Sequence, residues 1–260
     1  MNTGHKSLND SSEKIIIVEN LTARFGDNTV LENVSFEVCR GDIFIILGGS
    51  GCGKSTLLKH MIGLHELAFG RVIINGIDIT NATDEQIGRL RHGMGILFES
   101  SALFGSMTLY ENIALPLMEF TTLSASMIAS IVKTKLGMVG LTGYENHLPS
   151  ELSGGMKKRA GIARAMALDP EVLFFDEPSA GLDPITSAEI DILIKNLNKG
   201  LGTTMVIVTH ELESIFNIAH RIIMLDKGKK GIIAEGDPHE LKNNSDDPRV
   251  INFFNRKAAH

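Results

Sequence analysis

Residues 44–56 read FIILGGSGCGKST, an apolar, β-branched run that breaks into glycines and then into helix formers. Within it Gly48, Gly49, Ser50, Gly51, Cys52, Gly53, Lys54 and Ser55 fit the spacing G-x-x-x-x-G-K-[ST], in the strand-to-helix context that a phosphate loop requires. The glycines let successive backbone N–H groups wrap an anion, and the helix beginning at Lys54 adds the positive end of its dipole. Lys54 is placed to reach β- and γ-phosphates, the Ser55 hydroxyl to ligate Mg²⁺, and Thr56 to bond the α-phosphate. A nucleotide with Mg²⁺ is the expected ligand.

Such a loop implies an α/β fold, and the flanks agree. IIIVENL (15–21) and VLENVSFEV (30–38) read as strands separated by Gly-Asp turns, KSTLLKHMIGL (54–64) has helical period, and RVIING (71–76) returns to strand. From about 108 to 168 the pattern turns helical, in LYENIALPLMEF and SASMIASIVKTKLGMVGL. VLFFD (172–176), TMVIVTH (204–210) and RIIMLD (221–226) then alternate with helical stretches, which predicts a buried parallel sheet with right-handed crossovers. The expectation is a mixed or parallel core sheet with antiparallel N-terminal strands and a helical insertion, and a domain over 14–236. A tail over 237–260 follows, in which KNNSDDPR (242–249) separates a short terminal helix from the body.

Ligands of such sheets sit at the carboxyl ends of the strands, so the ends of three runs should converge. Asp176 ends VLFF beside the phosphate loop and can hold Mg²⁺. Glu177 follows at once, placed to orient an attacking water without competing for the metal; in isolation a solvated strand-end acid fits it equally well. His210 ends TMVIVTH on the same edge, which favours a γ-phosphate contact over a purely structural role. LSGGM (152–156) poses a separate problem. Ser153 is a good N-cap for the helix KKRAGIARAMAL, and Gly154 and Gly155 open the backbone, so a second anion site stands at a helix start. It is either an ordinary cap or a site for a nucleotide held by another subunit, as in a two-fold dimer whose LSGG closes over the partner's phosphate loop.

Composition narrows the class. The 260 residues are 43% hydrophobic with a formal charge of −6, enough for a real core and with no basic surplus to hold nucleic acid. No apolar run approaches a membrane span, and MNTGHKSLNDSSEK (1–14) has no signal-peptide core, so a cytosolic location is expected unless a partner holds the chain elsewhere. Two cysteines, Cys39 and Cys52, are too few for a disulfide framework, and oxidation of Cys52 is expected to block the loop.

The order of phosphate loop, LSGG, VLFFDEP, SAGLD and Thr-His over residues 14–236 resembles the ATP-binding-cassette ATPases. That resemblance implies ATP as the nucleotide, Phe25, which from spacing alone reads as core, stacking on adenine, and Ser153, Gly154 and Gly155 on the γ-phosphate across a head-to-tail homodimer. It also implies Asp183 bridging the two sites, and Glu177 and His210 serving hydrolysis. Glu99 stands where most relatives carry glutamine in the Mg²⁺- and phosphate-sensing loop; a glutamate can still ligate the metal, yet it adds a negative charge beside phosphate. FESSALFGSMTLYENIALPL (98–117), Met156 in LSGGM and DPRVINFF (247–254) narrow the resemblance to the ATPases of Mla/Mce-type lipid transporters. This implies a permease, a periplasmic Mce lipid-binding protein and a STAS-domain subunit as partners. It also implies a place on the cytoplasmic face of the bacterial inner membrane, and phospholipid movement that maintains outer-membrane asymmetry. Cassettes for another substrate, or soluble ones acting on ribosomes or DNA, are the alternatives. Leu103, Phe104, Met107 and Leu109 are either a permease-docking surface or core. With His260 following soon after DPRVINFF, a tail clasping a neighbouring subunit is not among the expectations.

Overall fold

The computed structural model describes residues 13–257, so most of MNTGHKSLNDSSEK and the end of the tail at His260 lie outside the described residues. In chain order the elements are β1 (Lys14–Phe25), β2 (Asn28–Cys39), β3 (Ile43–Gly48), α1 (Lys54–Met61), β4 (Phe69–Ile74), β5 (Ile77–Asp78), α2 (Asp84–His92) and β6 (Met94–Leu97). There follow α3 (Leu109–Phe120), α4 (Ala125–Met138), α5 (Gly154–Ala165), β7 (Val172–Asp176), α6 (Pro184–Leu201), β8 (Thr204–Val208), α7 (Leu212–Ile218), β9 (Arg221–Asp226), β10 (Gly231–Gly236), α8 (Pro238–Asn244) and α9 (Pro248–Phe254).

Two sheets form. β2-β1-β4-β5 is antiparallel, with β1 between β2 and β4. The larger sheet runs β10-β9-β3-β8-β7-β6, parallel except for β10 at its edge. Strict alternation on its three central strands divides the core into two clusters. Ile43, Ile45, Leu47, Leu173, Phe175, Met205 and Ile207 join the helical side formed with α3 to α6. Phe44, Ile46, Val172, Phe174, Val206 and Val208 join α1 and the antiparallel sheet. A side-chain period of two puts neighbours on opposite faces, and a sheet buried on both faces needs every position apolar, which is why these strands read as continuous hydrophobic runs. Among the described residues no helix is long and apolar enough to cross a membrane.

Three sequence expectations need correction. KNNSDDPR does not separate helices as a block, because Lys242–Asn244 complete α8 and Pro248 and Arg249 open α9, each helix starting at an Asp N-cap followed by proline. Leu109 is core with no exposed surface and so falls out of the docking reading, while Phe104 is half-exposed beneath the Arg164 guanidinium. Cys52 is 2% exposed and its thiol is pushed up by burial, so it is an inert packing residue rather than an oxidation-prone one.

Candidate functional site

β3, β8 and β7 are adjacent, with β8 in the middle, and they end on one edge of the sheet. With strands about 4.8 Å apart, residues that follow them are brought within a nucleotide's length of one another. A cleft of about 900 Å³ opens there, lined by Gly48, Gly49, Ser50, Gly51, Gly53, Lys54, Ser55 and Thr56 with Glu99, Glu177 and His210, and it continues between α6 and α7 toward α9.

The phosphate loop is built for backbone approach. Gly48 has φ +150° and a Cβ there would meet the Leu225 carbonyl and the Cys52 sulfur; Gly53 has φ +101° and a Cβ would lie 2.8 Å from Leu31. Both positions therefore demand glycine on conformation and on space. Gly53 is also the N-cap of α1 and supplies no side-chain cap, leaving the first amides of the helix for an anion. Lys54 is buried, and its ammonium donates to the carbonyls of Gly48 (2.9 Å) and Gly49 (3.2 Å), so it spans the loop.

The Ser55 hydroxyl donates to Asp176 Oδ1 at 2.9 Å. Burial pushes the Asp176 carboxyl up, and the charge of Glu99 adds to that rise while the Ser55 hydrogen bond, then Lys59 and Lys54, oppose it. A hard divalent cation fits this set: three oxygen side chains converge, and a dication would reverse the repulsion between the two carboxylates. Glu177 is held at φ +49°, its N–H donating to the Val208 carbonyl at 2.9 Å. Its Oε1 accepts from His210 Nδ1 at 2.8 Å. Its Oε2 is buried with no hydrogen-bond partner among the described residues, an acceptor left unpaired.

The remaining candidates are not among the residues that line this cleft. Ser153 caps α5 by accepting from the Met156 N–H, and neither it nor Gly154 and Gly155 lines the cleft. Asp183 caps α6, accepting from the Ile185 and Thr186 amides and from the Thr186 hydroxyl, and these bonds hold its carboxyl low. Phe25 is half-exposed and meets His65 and His60 edge-on, outside the cleft lining. Sequence reading missed Lys158, which is 5% exposed and donates to the carbonyls of Glu99 (2.7 Å) and Glu177 (2.8 Å), because a lysine in KKR reads as a solvated helix face. It also missed Asp191, a buried carboxyl on the cleft wall.

A parallel sheet that sets a phosphate loop and two acidic strand ends on one edge belongs to the class of P-loop nucleotide-binding domains. The family model described as ABC transporter matches residues 31–180, and the chain belongs to that family. It is similar to the "Probable ribonucleotide transport ATP-binding protein mkl" of Mycobacterium tuberculosis, 42% identical over 92% of this chain, and spans 66% of that relative's length. It is also similar to the "Intermembrane phospholipid transport system ATP-binding protein MlaF" of Haemophilus influenzae, 41% identical over 94% of this chain and 91% of the relative. Among solved structures, a dimeric post-hydrolysis state of the ATP-binding cassette MJ0796 bound to ADP and Pi superposes with a TM-score of 0.77 at 31% identity, covering 85% of this chain and 98% of that one.

Proposed function

We propose that this chain is the ATP-hydrolysing, energy-coupling subunit of a transporter that moves phospholipid between the inner and outer bacterial membranes. The observation that carries the ATPase half is the convergence of Lys54, Ser55, Asp176, Glu177 and His210 at one sheet edge, with Glu177 Oε2 buried and unpaired. Lys54 and the loop amides bind the β- and γ-phosphates. Ser55, Asp176 and Glu99 would hold Mg²⁺, which when bound neutralises charge on the phosphate oxygens. Glu177, oriented by His210, accepts a proton from water as the water oxygen bonds the γ-phosphorus. The bond from that phosphorus to the bridging oxygen breaks, and ADP leaves with the electron pair. Phe25 supports the base, and Ser153, Gly154, Gly155 and Asp183 complete the site of a second copy in an ATP-bound homodimer.

The phospholipid half draws on relatives. The mycobacterial protein is named for ribonucleotide transport and this chain spans 66% of its length, whereas the H. influenzae phospholipid-transport protein matches over nine tenths of both chains. In this reading residues 14–236 are the ATPase domain with a helical subdomain over about 108–168. A permease holds the chain at the cytoplasmic face of the inner membrane, and a periplasmic Mce protein and a STAS-domain subunit complete the assembly. The test is to purify tagged Glu177→Gln protein from its native membrane in mild detergent and identify what accompanies it. A permease, an Mce protein and phospholipid support the assignment; a different permease, ribosomes or nucleic acid would refute the lipid half and leave the ATPase chemistry in place.

A further inference from the structure

Lys158 sits on α5, five residues beyond Ser153 and so about 7 Å along the axis from the LSGG end of the helix. Its aliphatic stem is buried, and its ammonium reaches two separate strand ends, bonding the carbonyl of Glu99 just after β6 and the carbonyl of Glu177 just after β7. Burial pulls its pKa down, while Glu99, Glu177, Asp176 and Glu211 act the other way. A buried cation held by two backbone carbonyls among carboxylates fixes position, since moving it away from either carbonyl leaves a charge-assisted bond unmade in a poorly solvated place.

The same helix grips the segment after Glu99 a second time. Arg164 donates to the carbonyls of Ala102 (2.7 Å) and Ser101 (3.0 Å). Ser101 and Ala102 both have positive φ, at +62° and +47°, and Glu177 has φ +49°. Three non-glycine residues in the left-handed region persist only where surroundings over-determine them, and here α5 supplies much of that constraint. Gly161 on α5 closes the contact, since a Cβ there would lie 2.6 Å from Leu97.

We infer that Lys158 is a positioning residue that carries displacement of the LSGG helix into the backbone at Glu99 and Glu177. Building on the homodimer proposed above, a nucleotide seated on the LSGG of one chain then acts on the carboxylates that serve the other nucleotide, the one on that chain's own phosphate loop. The link lies within one chain and is a single side chain long, so the two sites of a dimer are coupled through each protomer's own α5.

The test compares wild type, Lys158→Met and Lys158→Arg as full-length protein in steady-state ATP turnover. Methionine keeps the buried stem and removes the donors; arginine keeps donors and charge. In Lys158→Met kcat is expected to fall about tenfold or more while KM for ATP changes by less than about threefold and the Hill coefficient drops toward one, and arginine restores most of kcat. Turnover and Hill coefficient unchanged in Lys158→Met would overturn the inference, as would a joint loss of kcat and KM that arginine does not rescue. Should the methionine variant not fold, Lys158→Gln, which removes the charge and keeps a polar side chain, is read in its place by the same kcat, KM and Hill criteria. Wild-type turnover is read in the same assay, so a wild type without ATPase activity overturns this inference together with the proposed function, whereas an unaffected Lys158→Met overturns this inference alone.

Discussion

Glu177 concentrates what single residues do here: a left-handed backbone, an N–H bonded to β8, a carbonyl bonded to Lys158, one carboxylate oxygen on His210 and the other unpaired. Two neighbouring carboxylates yield predictions of their own. Burial lifts the Asp191 carboxyl from 3.8 to about 6, against the bonds from Ser214 and Asn217 that favour its charged form. The folded state therefore holds this proton more tightly than the unfolded chain does. Stability from the neutral carboxyl is fully present below about pH 4 and is lost as pH rises to about 6, after which the deficit is constant. Asp191→Asn is expected to match wild type in urea unfolding below about pH 4 and to exceed it by on the order of 3 kcal/mol above about pH 6; curves that stay parallel across this range would contradict the assignment. Glu99 faces the phosphate loop and raises Asp176, so its charge opposes phosphate until a cation intervenes. The ratio of ATP affinity with Mg²⁺ to that in EDTA is expected to be about tenfold smaller in Glu99→Gln than in wild type, and equal ratios in binding titrations would show that Glu99 does not sense the metal.

Among elements, the tightest contact is that of α5 on β6. A Cβ on Gly95 would run into the Ala165 carbonyl and lie 2.7 Å from Leu173, and neither the helix backbone nor the strand can withdraw. Gly95→Ala is expected to cost about 3 kcal/mol. Gly88→Ala on α2, where a Cβ meets nothing within 4 Å, is expected to gain about 0.5 to 1 kcal/mol. Urea unfolding midpoints check both, and a benign Gly95→Ala would mean that α5 is not seated on β6 as described. This contact also marks where sequence reading fell short. β3, β7 and β8 were legible because burial on both faces makes their residues uniformly apolar, and the phosphate loop because its glycines are demanded by conformation and contact. β6 is MGIL, four residues with a glycine whose only reason is the helix above it, so it offered no strand signal of its own. α2 was passed over although Thr83 and Gln86 form a reciprocal cap that the T-x-x-Q spacing announces. β10 went unread because GIIAEG is short and bounded by glycines. Lys158 was invisible for a different reason: the carbonyls it bonds lie 59 and 19 residues away, and a residue's own spacing says nothing about such partners.

For the whole molecule, the placement of LSGG decides whether one chain suffices. Ser153, Gly154 and Gly155 are not in the lining of the cleft that holds Lys54 and Glu177, which leaves their helix-start amides for a nucleotide on a second copy. In a two-fold dimer each nucleotide would lie between the phosphate loop of one copy and the LSGG of the other. Mixing two inactive variants tests this. Lys54→Ala disables the phosphate loop and keeps LSGG; Ser153→Arg disables LSGG, by placing bulk and charge at the helix start, and keeps the phosphate loop. Each homodimer has two broken sites. A heterodimer has one site in which both defects meet and one in which both halves are intact. With equal amounts and random pairing, half the dimers are mixed and one of their two sites works, so the mixture should recover about a quarter of wild-type ATP turnover where sites act independently. Full coupling between the sites, of the kind assigned to Lys158, lowers that figure, because a dimer with one broken site then turns over more slowly than half of wild type. Sites contained within single chains predict no recovery at any mixing ratio, since every chain in the mixture carries a defect. Activity that rises on mixing and peaks at equal amounts would place each nucleotide between two copies.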